Sequence, residues 1–161
     1  MINMVFLLII TAILFILYNI FILYKFGVPE SLSATSYLFK EKYNQHWWFS
    51  LICLIIIVGL FPNWINISST ITQFLVFLSC AGILFIGASP FFLKGMEKPI
   101  HYISGIITTI TFILWFIFNG YYLWLINISI TCIPFILWKP KCFIYFIEII
   151  AYIYSVLFFL L

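Results

Sequence analysis

The chain has 161 residues, of which 66% are hydrophobic, 22% aromatic and only 7% charged; it carries seven lysines and four glutamates, with no arginine and no aspartate. Soluble domains carry about 25% charged residues, so a water-soluble fold is excluded, and apolar runs repeatedly near the roughly 20 residues that cross a bilayer core predict an all-α, polytopic integral membrane protein. The formal net charge of +3 does not point to nucleic acid, because the lysines sit in short loops beside apolar runs, where anionic lipid headgroups are the natural partners.

Six spans are predicted within a single transmembrane domain covering residues 1–161, at about 2–24, 47–64, 71–93, 100–118, 121–138 and 142–161. The first runs from Ile2 to Tyr24, interrupted by Asn3, Thr11 and Asn19, and stops at Lys25-Phe26-Gly27. It lacks a basic leader and a small-residue cleavage pattern, so it is expected to stay in the mature chain. Pro29-Glu30, with Ser31, Ser33 and Ser36, then supplies helix-start chemistry. A short interfacial helix follows in this first loop, with Leu32, Leu38, Phe39 and Tyr43 on the membrane and Lys40, Glu41 and Lys42 in water.

The second span, Trp47 to Trp64, has Trp at both ends, at headgroup depth, and Pro62 near its exit. It is expected to be, with the fifth, the shortest crossing. An uncharged gap leads to the third, where Ser79, Gly82, Ile86 and Ser89 recur at helical spacing and predict a seam against a neighbouring backbone. A charged turn from Lys94 to Pro99 precedes the fourth span. Asn119-Gly120 forces a hairpin into the fifth, which contains Asn127, Thr131 and Pro134, the last predicting a kink. Lys139-Pro140-Lys141 leads to the last span.

Lysines occupy alternate gaps only: Lys25, Lys40 and Lys42, then Lys94 and Lys98, then Lys139 and Lys141. The positive-inside rule makes those gaps cytoplasmic and predicts an N-out, C-out topology, most naturally in a bacterial inner membrane. The two three-span halves differ in loop length, so no inverted repeat is expected. Cys53, Cys80, Cys132 and Cys142 form no CxxC pair and are expected to pack as small apolar residues.

Glu148 is the one ionisable residue deep inside a predicted span, about 9 Å past the start of the last helix. Lys141, Tyr145, Glu148, Tyr152 and Ser155 share a face at steps of four, three, four and three. The fourth span has a comparable stripe, His101, Ser104, Thr108, Thr111 and Trp115, and the fifth another through Trp124, Asn127, Thr131, Pro134 and Trp138. Two readings follow. In one, these helices surround a polar pathway in which Glu148 exchanges a proton or binds a cation, with His101 at its mouth. In the other, Glu148 joins helices through Tyr, Thr or Asn. Every lysine lies in a loop, so a cation at the depth of Glu148 requires Lys139 or Lys141 to reach inward against its usual direction.

No metal site is expected, since His46 and His101 lie in different segments with no HxxxH or HExxH pattern, and no cofactor motif is present. Gly87-Ala88-Ser89-Pro90 lacks a nucleophile elbow, and no base, nucleophile and orienting group can be assembled, so enzymatic activity is not expected. Phe26-Gly27-Val28-Pro29-Glu30-Ser31-Leu32-Ser33, Phe85-Ile86-Gly87-Ala88-Ser89-Pro90 and Ile100-His101-Tyr102-Ile103-Ser104-Gly105 together resemble a family of small bacterial or phage-borne polytopic membrane proteins. The resemblance implies that membrane class and supplies no site. The expected function is a membrane-embedded interaction or assembly component, in contact with a membrane-protein partner or a second copy of itself through the long first loop. The alternative is a small proton- or cation-coupled transporter or channel subunit using Glu148.

Overall fold

A computed structural model describes residues 4–45, 47–93 and 95–161. His46 and Lys94, named above, therefore lie outside the described residues, as do Ile2 and Asn3. The described residues form seven α-helices and no strand: α1 Met4–Phe26, α2 Ala34–Tyr43, α3 Trp47–Ile67, α4 Thr70–Ala88, α5 Glu97–Phe118, α6 Tyr122–Trp138 and α7 Phe143–Leu160, with a 3-10 turn, Ser89–Phe91, after α4. Five of them, α1, α3, α4 with its 3-10 extension, α5 and α7, are long and apolar enough to cross a membrane; α6, with 17 residues, is shorter. The outward faces of the helices are largely apolar, as with Leu17, Ile20, Phe74, Phe77, Ile103 and Ile130, with few exposed polar side chains such as Thr109 and Asn127. A belt of this kind needs a hydrocarbon solvent.

The helix ends depart from the sequence expectation by a few residues, for local reasons. Pro62 does not end the second span: α3 continues to Ile67, making it 21 residues instead of one of the shortest, and the Asn63 amide donates to Gly59 O at 3.0 Å and to Met4 O at 3.1 Å beside the bond that proline removes. Pro99 falls in the first turn of α5, where a missing N–H costs nothing, so that helix begins at Glu97 rather than residue 100. Ser69 caps α4 by accepting from Thr72 N–H. Gly120 takes φ +78 in the α5–α6 turn, a left-handed conformation that the Asn-Gly pair predicted.

Helices α1, α3, α4 and α5 pack in sequence, each antiparallel to the next, and every one of these pairs is closed at a glycine. A Cβ on Gly59 of α3 would collide with Thr11 of α1, one on Gly87 of α4 would lie 2.8 Å from Cys53 Cβ of α3, and one on Gly82 of α4 would meet Thr108 and the Ser104 carbonyl of α5. Small residues at such points let backbones approach in the absence of a hydrophobic driving force between helices. The predicted α4 seam is thus occupied by α5: Thr111 Oγ1 donates to Ile107 O, so the 2.6 Å contact with Ser79 is donated by the serine hydroxyl.

Helix α7 closes the other side of the bundle against α1 and α3, and α6 forms a hairpin with α7. Phe15, Phe49, Ile52, Tyr145 and Tyr152 form one buried cluster at these contacts. At the end opposite the lysines a second cluster gathers Trp64, Trp115, Phe116, Tyr121 and Phe158, with Trp115 Nε1 donating to Ser68 Oγ at 2.7 Å. The described lysines, Lys25, Lys40, Lys42, Lys98, Lys139 and Lys141, all belong to segments at the other end of the bundle.

The short helix forms where expected but is seated differently. Phe39 is 3% exposed, inside a ring cluster with Tyr18, Phe26 and Trp48, while Tyr43 is exposed. Its buried side also carries Thr35 and Ser36, and Thr35 Oγ1 donates to Leu32 O while receiving the Tyr18 hydroxyl at 2.6 Å. The helix therefore docks on α1 and α3 through a partly polar face, with Lys40, Glu41 and Lys42 outward as predicted.

Candidate functional site

The segment that leads into α2 turns inward and meets α7. The carbonyl of Glu30 accepts from Tyr145 N at 3.2 Å, satisfying one of the first-turn donors of α7. Leu32 N donates to Glu148 Oε2 at 2.7 Å, and the Leu32 side chain enters the core at 7% exposure. The next free amide, Ala34 N, goes to Ser31 Oγ at 3.1 Å, which in turn lies 2.9 Å from Ser33 Oγ. Glu148 thus serves the amino end of α2 from another helix, at the pole where a helix favours an anion.

One carboxylate oxygen is committed to Leu32, and the other is left to a cavity of about 730 Å3. The cavity lies between α5 and α7, floored by Phe49 of α3 and the α4–α5 corner, with Ser31, Ser33 and Ser36 on the α2 side. Glu97 and Lys98 stand at its lysine-end mouth. His101 reaches it from α5, with Nδ1 3.3 Å from Ser89 Oγ. Ser89 spends its own hydrogen on Ile86 O at 2.7 Å, so Nδ1 of His101 is the ring nitrogen that carries the hydrogen in this pair.

Among the residues singled out from sequence, Glu148 and His101 are brought to one cavity. Tyr145 and Tyr152 share the face of Glu148 but turn to α1: Tyr145 donates to Asn19 Oδ1 at 2.8 Å, and the Tyr152 ring lies 4.1 Å from that of Phe15. Thr108 does not join them. It sits in the α4–α5 seam over Gly82, donating to Ser79 O at 3.4 Å. Asn127 is exposed on α6 and donates to Leu123 O at 2.8 Å, while Thr131 receives the Tyr154 hydroxyl at 2.7 Å and gives its own hydrogen to Asn127 O. The fifth-span stripe therefore satisfies its polar groups locally and against α7, and contributes nothing to the cavity. Cys53, Cys80 and Cys132 are buried singly, as expected of packing residues.

The cavity also uses residues that the stripes did not single out. Ser31, Ser33 and Ser36 were legible as helix-start residues but not as its wall, and the Leu32 amide, a backbone group, has no signature in side-chain spacing. No known protein family, curated protein or solved structure matches this chain.

Proposed function

We propose that the chain crosses a bacterial inner membrane six times, with both termini on the non-cytoplasmic side, and carries a proton or a small cation by way of Glu148. The observation that carries this reading is the position of Glu148 in the wall of the cavity between α5 and α7, with Glu97 and Lys98 at its lysine-end mouth. An intramembrane acid in the wall of a cavity is a functional candidate by default, and ion pathways are where such acids are found. Helix α6, at 17 residues about 25 Å long, falls at the short limit of a crossing helix. Lysine placement sets the orientation, and Lys25, Lys40, Lys42, Lys98, Lys139 and Lys141 then face anionic headgroups of the inner leaflet; Lys94 belongs to the same set by sequence.

In proteoliposomes a methylammonium or pH gradient should dissipate faster with the wild-type chain than with Glu148→Gln, whose amide oxygen still accepts from Leu32. Equal dissipation by the two proteins defeats the proposal.

A second reading, as an assembly component, keeps support from the outward side of α2, where Tyr37, Lys40, Glu41 and Lys42 remain exposed although the apolar side is used internally. Reversing Lys40 and Lys42 to Glu should then release a partner in a detergent pull-down. An unchanged partner set removes that surface from consideration.

A further inference from the structure

The cavity that holds Glu148 has two kinds of wall. Its lysine end is polar, with Glu148, His101 and the serines, and Ile144 lies there too, one turn before Glu148 on α7; its flank runs on deeper along α5 over Gly105, Ile106 and Ile110. Ile106 is 58% exposed and Ile110 51%. These two side chains belong to the outward belt of the bundle, so the flank opens sideways to hydrocarbon while the polar end opens towards the headgroups. From His101 to Ile110 the groove follows nine helical steps, about 13 Å, close to the depth of one leaflet of a hydrocarbon core about 30 Å thick. Gly105 adds room midway, because a Cβ there meets nothing within 4 Å.

Charge selects the head of any molecule lying along this groove. Among the described lining residues Glu97 and Lys98 stand at the mouth, and Glu148 and His101 lie inside, where Glu148 is the one acid and no lysine is present. An anionic head would face Glu148 with Lys98 available only at the entrance. An ammonium head has three donors and no acceptor, which matches one carboxylate oxygen and the hydroxyl oxygens of Ser31 and Ser33.

We propose that the ligand of this cleft is a membrane-dissolved single-chain amphiphile with a protonated amine head, seated with its nitrogen at Glu148 and its alkyl chain along Gly105, Ile106 and Ile110. The amine reaches the site sideways from the cytoplasmic leaflet, without leaving the bilayer. This assignment rests on the cation reading of Glu148 above and adds the ligand class and its route.

The test uses the full chain in phosphatidylcholine nanodiscs and a dodecylamine carrying a diazirine near the end of its chain. Irradiation should label the peptide containing Ile106–Ile110, and excess dodecylamine should protect it where dodecanoic acid does not. Loss of one charge-assisted contact predicts about tenfold weaker labelling in Glu148→Gln. Gly105→Leu, which fills the groove from open space on a helix that gains propensity, should weaken labelling by a similar factor at unchanged elution on size exclusion. Protection by dodecanoic acid equal to that by dodecylamine overturns the proposal, as does labelling spread evenly over the outer face of α6. Should methylammonium flux depend on Glu148 while the long-chain amine fails to localise, the amphiphile is rejected and cation transport stands. Localised labelling without Glu148-dependent flux instead rejects transport and keeps the amine site.

Discussion

Glu148 on the last helix accepts the amide hydrogen of Leu32 at 2.7 Å across 116 residues of chain. The acid is thus part of the fold as well as of the cavity wall, and its two duties separate by substitution. Glu148→Leu strands the Leu32 amide, at about 1–3 kcal/mol for an unsatisfied buried donor. Glu148→Gln keeps an acceptor and should stay within about 1 kcal/mol of wild type. Thermal unfolding in mild detergent checks the pair; equal losses in both variants would refute the tether.

The α4–α5 seam predicts strong coupling between Gly82 and Thr108. Gly82→Val should destabilise by about 1–3 kcal/mol through overpacking. Gly82→Ala should be partly rescued by Thr108→Ala, which removes the Oγ1 that the new methyl meets, although the Ser104 carbonyl 3.0 Å away remains. A double-mutant cycle with additive energies contradicts the contact.

Tyr145→Phe removes the buried hydrogen bond to Asn19 and nothing else. Interhelical bonds of this kind average about 0.6 kcal/mol and reach about 1.7, so the unfolding midpoint should fall slightly, with no further fall when Asn19→Ala is added beyond its own packing loss. Chemical denaturation of the three variants in one detergent measures this.

Asn127 supplies a control. Its side chain bonds its own helix on an exposed face, so Asn127→Leu should leave flux and amine labelling unchanged and alter stability by less than about 0.5 kcal/mol. Loss of flux in this variant would move the pathway from the α5–α7 cleft to α6.

Orientation is checked with single cysteines in a background lacking the native four. Tyr37→Cys, on the exposed side of α2, should react with an impermeant maleimide only in broken cells, and Ile71→Cys, at the opposite end, in intact spheroplasts. The reverse pattern inverts the topology.

Spacing along each helix made the shared faces legible, and the α4 stripe and the α5 stripe do meet, at Ser79 with Thr111 and at Ser89 with His101. Periodicity identifies a face but not the neighbour it turns to. Thr108 and Asn127 were placed in a pathway with Glu148 because a polar side chain in hydrocarbon must be satisfied; one found an α4 carbonyl and the other the carbonyl four residues before it. The partner of Glu148 was hidden for a different reason: an amide N–H is carried by nearly every residue, so only the path of the chain shows which one arrives. Ser36 was legible only as helix-start chemistry, and Thr35 carried no signal at all; the burial of Thr35 against the Tyr18 hydroxyl is a contact between elements that no local pattern encodes.

The tight turn at Asn119-Gly120 has a mechanical consequence. Helix α6 meets α5 beside that turn, with Tyr121 against Trp115 and Phe116, and then runs back along α7 through Thr131 with Tyr154 and Phe135 with Phe146. The turn is therefore the covalent link between the α4–α5 pair and the α6–α7 hairpin, and it lies at the end of α5 remote from the cleft mouth, about 33 Å away along 22 residues at about 1.5 Å per residue. Substitutions at Asn119 or Gly120 act on how these two pairs join without touching any residue that lines the cleft.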